Sequence, residues 1–166
     1  MKITIRNGTK GLVFRAGTLV RVLEPGTHRL AAWLRRETVE LVDVRERAIE
    51  LDVAPLQTRD NVPVGVTGFV AWRIVDPTVT TRVGNVAERL EQEARATLAG
   101  EVARVPALNL AWALRAIATD VHDRLSLETG RLGVKVASVG LTGVRFPRRL
   151  RQLMKSEEFL ERVVGH

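Results

Sequence analysis

The chain has no cysteine and no tyrosine, and aromatic residues make up only 4% of its 166 positions. Without cysteine there is no disulfide, no thiolate nucleophile and no cysteine-based zinc site, which fits a reducing compartment. No apolar run approaches the roughly 18 residues of a membrane span. The amino terminus, MKITIRNGTKG, lacks the apolar core of a signal peptide. Acid is scarce at one end. Residues 1–36 hold eight basic groups (Lys2, Arg6, Lys10, Arg15, Arg21, Arg29, Arg35, Arg36) against one acid, Glu24. The rest of the chain balances, so that end carries the whole net charge of +7, as expected of a surface facing lipid headgroups or nucleic acid. Seven aromatics and no aromatic-plus-glycine signature argue against a base-stacking platform, so nucleic acid is the weaker partner.

What is present is the composition of one globular domain, 45% hydrophobic and 27% charged. Its centre is Gln57 to Pro77, QTRDNVPVGVTGFVAWRIVDP. A polar turn, Thr58 to Asn61, leads into an alternation that puts Val62, Val64, Val66, Val70, Trp72 and Ile74 on one parity. Successive strand side chains point to opposite faces, so this is a long strand with one buried face. Asp76-Pro77 then reads as an N-cap with proline at the first helical position.

Before that strand the chain reads as six or seven short antiparallel strands. Lys2–Arg6 precedes the hairpin signal Asn7-Gly8, Ala16-Gly17 turns Gly11–Arg15 back into Leu19–Leu23, and Pro25-Gly26 turns again. Val39–Val44 and Ala48–Val53 flank the charged corner Arg45-Glu46-Arg47. After Pro77 the period becomes helical. Asn85 with Glu88 predicts a capping box ahead of Val86, Leu90, Ala94, Leu98 and Val102. Past Pro106, a second stripe runs through Leu110, Leu114, Ile117, Val121 and Leu125, closed by Gly130 and Gly133. Residues 133–146 predict a last strand with a bulge near Ser138, and Pro147 opens a short helix.

No catalytic constellation is visible. Asp120, His122 and Asp123 share a helix, but residues two apart sit on nearly opposite faces and no i, i+4 ligand pair exists. His28 reads as a hydrogen-bonder within its turn, and no serine lies in a Gly-x-Ser-x-Gly elbow. No cofactor, metal site or enzyme activity is expected.

Taken in order, GLVFRAG (11–17), PGTH (25–28), VDVRERAIELDV (42–53), TRDNVPVGVTGFVAWRIVDP (58–77) and GVKVASVGLTGVRFP (133–147) resemble the SPFH, or Band 7, family of stomatin, prohibitin, flotillin and the bacterial HflK/HflC proteins. The bacterial slipin or stomatin-like branch is the nearest match. The resemblance implies a mixed α+β domain over residues 1–147, built from an antiparallel β unit, a long central strand, two to three helices and a final strand. It also implies membrane-associated homo-oligomeric scaffolds, with a membrane protease as a possible partner. Residues 148–166 are expected to form a short helix where the family has a long coiled coil. Members of that branch usually carry a hydrophobic anchor before this domain, and none is expected ahead of the first strand here. Assembly is therefore expected to be weaker than in full-length members, and the protein cytoplasmic or peripheral at the cytosolic face of a membrane.

Two groups carry this expectation. Trp33, Leu34, Arg35 and Arg36 place an indole beside paired arginines, which suits a bilayer interface. Leu150, Leu153, Met154 and Leu160 form a stripe on the last helix that suits subunit packing. The alternative is a soluble subunit of a cytosolic ring or shell resembling the shoulder domain of the major vault protein. Lipid co-sedimentation separates the two.

Overall fold

The valine-rich alternation that follows the Thr58–Asn61 turn forms the strand on which the molecule is assembled. The computed structural model describes the backbone of residues 1–30 and 37–164, and their side chains as far as Ser156. The strands are β1 (Lys2–Ile5), β2 (Thr9–Arg15), β3 (Thr18–Leu23), β4 (Gly26–Arg29), β5 (Glu37–Asp43), β6 (Arg47–Gln57), β7 (Pro63–Ile74) and β8 (Val134–Arg145). The helices are α1 (Pro77–Val83), α2 (Val86–Val102), α3 (Leu110–Thr129) and α4 (Arg148–Val164), with 3-10 turns at Ala107–Asn109 and Gly130–Leu132. The fold is mixed α+β with antiparallel sheets, as the sequence predicts.

β7 lies between β6 and β8. Its Val64, Val66, Val70, Trp72 and Ile74 are buried, and Val62 just ahead of it is half-buried, so the alternation identifies the core face. Leu51, Val53 and Leu56 of β6 and Val134 and Val136 of β8 join the same core. The two predicted helical stripes close it: Val86, Leu90, Ala94, Leu98 and Val102 of α2, with Leu110, Ile117, Val121 and Leu125 of α3. Each valine, leucine or isoleucine among them, fully buried, is worth about 1.5–3 kcal/mol. This core is the main source of stability.

The turns obey local chemistry. Thr58 Oγ1 donates to Asp60 Oδ1 at 2.5 Å and accepts from the Val62 N–H at 3.0 Å, while Asn61 takes the left-handed conformation (φ 59°). Asp76 caps α1 by accepting from the Thr78 and Val79 N–H groups at 3.1 and 3.3 Å. Gly133 has φ 72°, and a Cβ there would sit 2.5 Å from the Asp76 carbonyl oxygen, so only glycine allows α3 to hand over to β8 beside α1. The predicted bulge exists: Ala71 pairs with Ser138 and Trp72 with Val136, leaving Ala137 extra. A second slip, at Thr142, was not predicted.

The amino-terminal strands depart from the sequence reading in their pairing. Asn7-Gly8 does turn the chain, with Gly8 at φ 81°, yet it makes no hairpin: β1 pairs with β4, and β2 pairs with β3 and β5. The turn sends the chain from one small sheet to the next, because Ile5 is needed on Val13, Leu23 and Leu30 in a second, smaller core. β4 itself was not anticipated within the PGTH turn. The capping box at Asn85 is also absent, since the Asn85 amide donates to the Glu88 carboxylate and caps no backbone N–H.

Candidate functional site

The residues singled out for acid–base or metal chemistry come together only as neighbours. His122 Nδ1 lies 3.2 Å from Asp123 Oδ1 on the outer side of α3. Among the described residues no group of three His, Asp or Glu is placed to hold a metal ion. His28 Nε2 hydrogen-bonds the Glu24 carbonyl at 2.7 Å, the turn role expected of it. A cleft of about 570 Å³ is open and lined in part by Arg89, Glu93, Glu128 and Arg131. It brings together no nucleophile and base.

Trp33, Leu34, Arg35 and Arg36 lie outside the described residues. The positions on either side of them are well anchored. The amino-terminal ammonium donates to the Leu30 carbonyl at 3.1 Å, and Leu30 is buried in the smaller core. Across the gap, the Glu37 side chain is 6% exposed and its Oε1 lies 2.7 Å from Arg15 Nη2. The other oxygen, Oε2, is buried without a hydrogen-bond partner among the described residues.

On α4, Leu153 is 61% exposed, while Leu150 and Met154 are half-buried; the Leu160 side chain lies outside the described residues. Arg151 N–H bonds back to the Pro147 carbonyl at 3.0 Å, so the helix starts where the proline predicts. Among the described residues α4 has no substantial packing partner.

Sequence reading passed over Trp112. Its side chain is 90% exposed, and Leu108, one turn earlier, is 50% exposed. The stripe Leu110, Leu114, Ile117, Val121 and Leu125 already places Trp112 on the opposite face of the helix, which was the available signal. At the other end of the domain, Leu12, Phe14 and Leu19 of the β2–β3 hairpin and Thr78, Thr81 and Arg82 of α1 enclose an apolar cavity of about 200 Å³.

Electrostatics fasten the frame. The Arg45 side chain, then its own backbone N–H, hold the Asp43 carboxyl well below the usual range. Arg145 reaches Asp52 at 2.5 Å and lowers its pKa, and the pairing raises that of the arginine in turn. Asp60 is lowered by the Thr58 hydroxyl and then by the Ala107 N–H, which donates at 3.0 Å. Between the helices, Glu101 is 5% exposed with Arg124 Nε 3.0 Å away, an ion pair without hydrogen-bond alignment.

Comparison with known proteins agrees with this frame. A stomatin homologue of Pyrococcus horikoshii is 25% identical over 167 residues, covering 95% of this chain and 59% of the relative. An uncharacterized protein of Archaeoglobus fulgidus is 26% identical over 159 residues, covering 95% of this chain and 63% of its own length. Stomatin-1 of Caenorhabditis elegans is 27% identical over 158 residues, 94% of this chain and 47% of that protein. The chain thus spans less than two thirds of the length of each. The family model described as "SPFH domain / Band 7 family" matches residues 3–162, nearly the whole chain, and the protein belongs to that family.

Proposed function

We propose that this chain is a non-enzymatic, slipin-like scaffold that self-associates and meets a membrane surface, or a membrane protein such as a protease, from the cytosolic side. Family membership supports a membrane-associated role. No described helix is long and apolar enough to cross a membrane, and the proposed contact is peripheral, made by the basic amino-terminal end.

The observation that carries the reading is α4. Residues 1–147 form the body, and residues 148–166, which include α4, act as an assembly segment. Leu153 stands 61% exposed on a helix whose other described leucine and methionine are only half-buried. Covering one such leucine in a neighbouring subunit contributes about 1.5–3 kcal/mol. Light scattering across a dilution series, on the intact chain and on one lacking residues 150–166, tests this. The intact chain should gain mass with concentration, and the shortened chain should assemble less while keeping its strand signal in circular dichroism. A monomer at every concentration would sink the scaffold reading.

A further inference from the structure

We propose that Trp112 of one copy inserts into the apolar cavity between the β2–β3 hairpin and α1 of the next copy, making a head-to-tail contact. The inference rests on the self-association proposed above and assigns it a second interface, separate from α4.

The cavity suits an aromatic occupant. Its floor is Leu12, which is fully buried, and its walls include Phe14 and Leu19, both half-buried. At about 200 Å³ it exceeds the roughly 150 Å³ apolar cavity that accepts benzene, so an indole, one fused ring larger, is of the right order. Arg82 at its rim is exposed and forms no ion pair among the described residues, leaving its guanidinium free to stack on a π face.

The knob is equally specific. A tryptophan that is 90% exposed leaves most of its apolar surface in water, and tryptophan is enriched among residues that dominate interfaces. Leu108 and Arg115 flank it at one helical turn on either side. Arg115 has no ion-pair partner among the described residues, and neither does Glu40, which lies directly across from Leu12 in the β2–β5 ladder. Insertion of the indole would bring these opposite charges toward each other.

The two features cannot meet within one molecule. Trp112 is at the start of α3, beside the Asp60 turn, which holds Ala107 by a 3.0 Å hydrogen bond. The end of α3 reaches α1, where the Gly133 carbonyl accepts from Val75 and Asp76 at 2.9 and 3.0 Å. At 1.5 Å per residue, the helix separates knob from cavity by about 25 Å. Contact between unlike patches on identical subunits is heterologous, and it closes into a ring where the rotation permits.

Sedimentation across a dilution series, without lipid, tests the contact using the full chain, Trp112→Ala, Leu19→Arg, and an equimolar mixture of the two variants. Each variant alone should weaken assembly roughly tenfold or more. The mixture should recover a complex, because an intact knob then meets an intact cavity, but it should not grow into larger species through this contact. At dilutions where the parent is dissociated, Trp112→Ala should melt at the temperature of the parent. If Leu19→Arg fails to fold, Arg82→Glu, at an exposed position, replaces it. A Trp112→Ala chain that assembles like the parent overturns this contact and leaves the scaffold reading standing, whereas a monomeric parent overturns both. If, in a separate co-sedimentation with anionic vesicles, a normally assembling Trp112→Ala chain loses lipid binding, that also overturns it and assigns the indole to a bilayer.

Discussion

Trp72 shows what a single buried side chain does here. It is 3% exposed near the end of β7, with the Arg47 guanidinium 5.1 Å from the ring centroid. Its indole N–H is buried without a partner among the described residues, so its worth is packing and area. Trp72→Ala should cost about 3–5 kcal/mol in denaturant unfolding; a loss under 1 kcal/mol would mean that the site collapses around the cavity. Asp60 works by charge. Its pKa is lowered in the fold by the Thr58 hydroxyl and the Ala107 N–H, so the unfolded chain takes up the proton first as pH falls. The stability it contributes is present above the unfolded value of about 3.9 and is lost as pH drops through the folded value. Asp43 and Asp52 act in the same sense. Unfolding free energy should be flat from pH 6 to 5 and decline below about pH 4. Asp60→Ala should be less stable at neutral pH and show a shallower decline.

At the scale of elements, what could be read from the sequence was whatever a repeat or a cap spells out. Strand β7, the α2 and α3 stripes and the Asp76 cap all follow from spacing along the chain, and the structure has them. Strand partners are different. Nothing local to Asn7-Gly8 says that Ile5 belongs over Val13, because that depends on β4 returning from over twenty residues away. Trp112 was missed for a related reason: a periodic stripe announces the buried face and is silent about what stands opposite. Glycines in β7 and β8 carry a further element-scale constraint. A Cβ at Gly68 would lie 2.3 Å from the Gly140 carbonyl oxygen, next to the slip at Thr142. Gly68→Ala must push backbone against backbone, and should destabilise by about 1–3 kcal/mol. An alanine tolerated there without loss would show that the two strands can part at no cost.

For the whole molecule, charge and construction point to different measurements. The net charge of +7 resides in residues 1–36, so binding to anionic vesicles should weaken as salt rises, each Lys or Arg near the surface adding about 1 kcal/mol. Changing Arg35 and Arg36 to serine should weaken it further, and equal binding to neutral vesicles would refute the electrostatic account. The two hydrophobic cores have a consequence in time. The larger is sealed by β6 to β8, α2 and α3, and the smaller, among the described residues, holds Ile5, Val13, Leu23 and Leu30 with Ile3 and Val39 against them. Local opening follows the amount of apolar packing that must be given up. Amide hydrogens of β1 to β4 should therefore exchange with deuterium well before those of β7, through an opening that leaves the helical half intact. A chain built this way can loosen its basic end, on the side proposed to meet the membrane, without unfolding the rest.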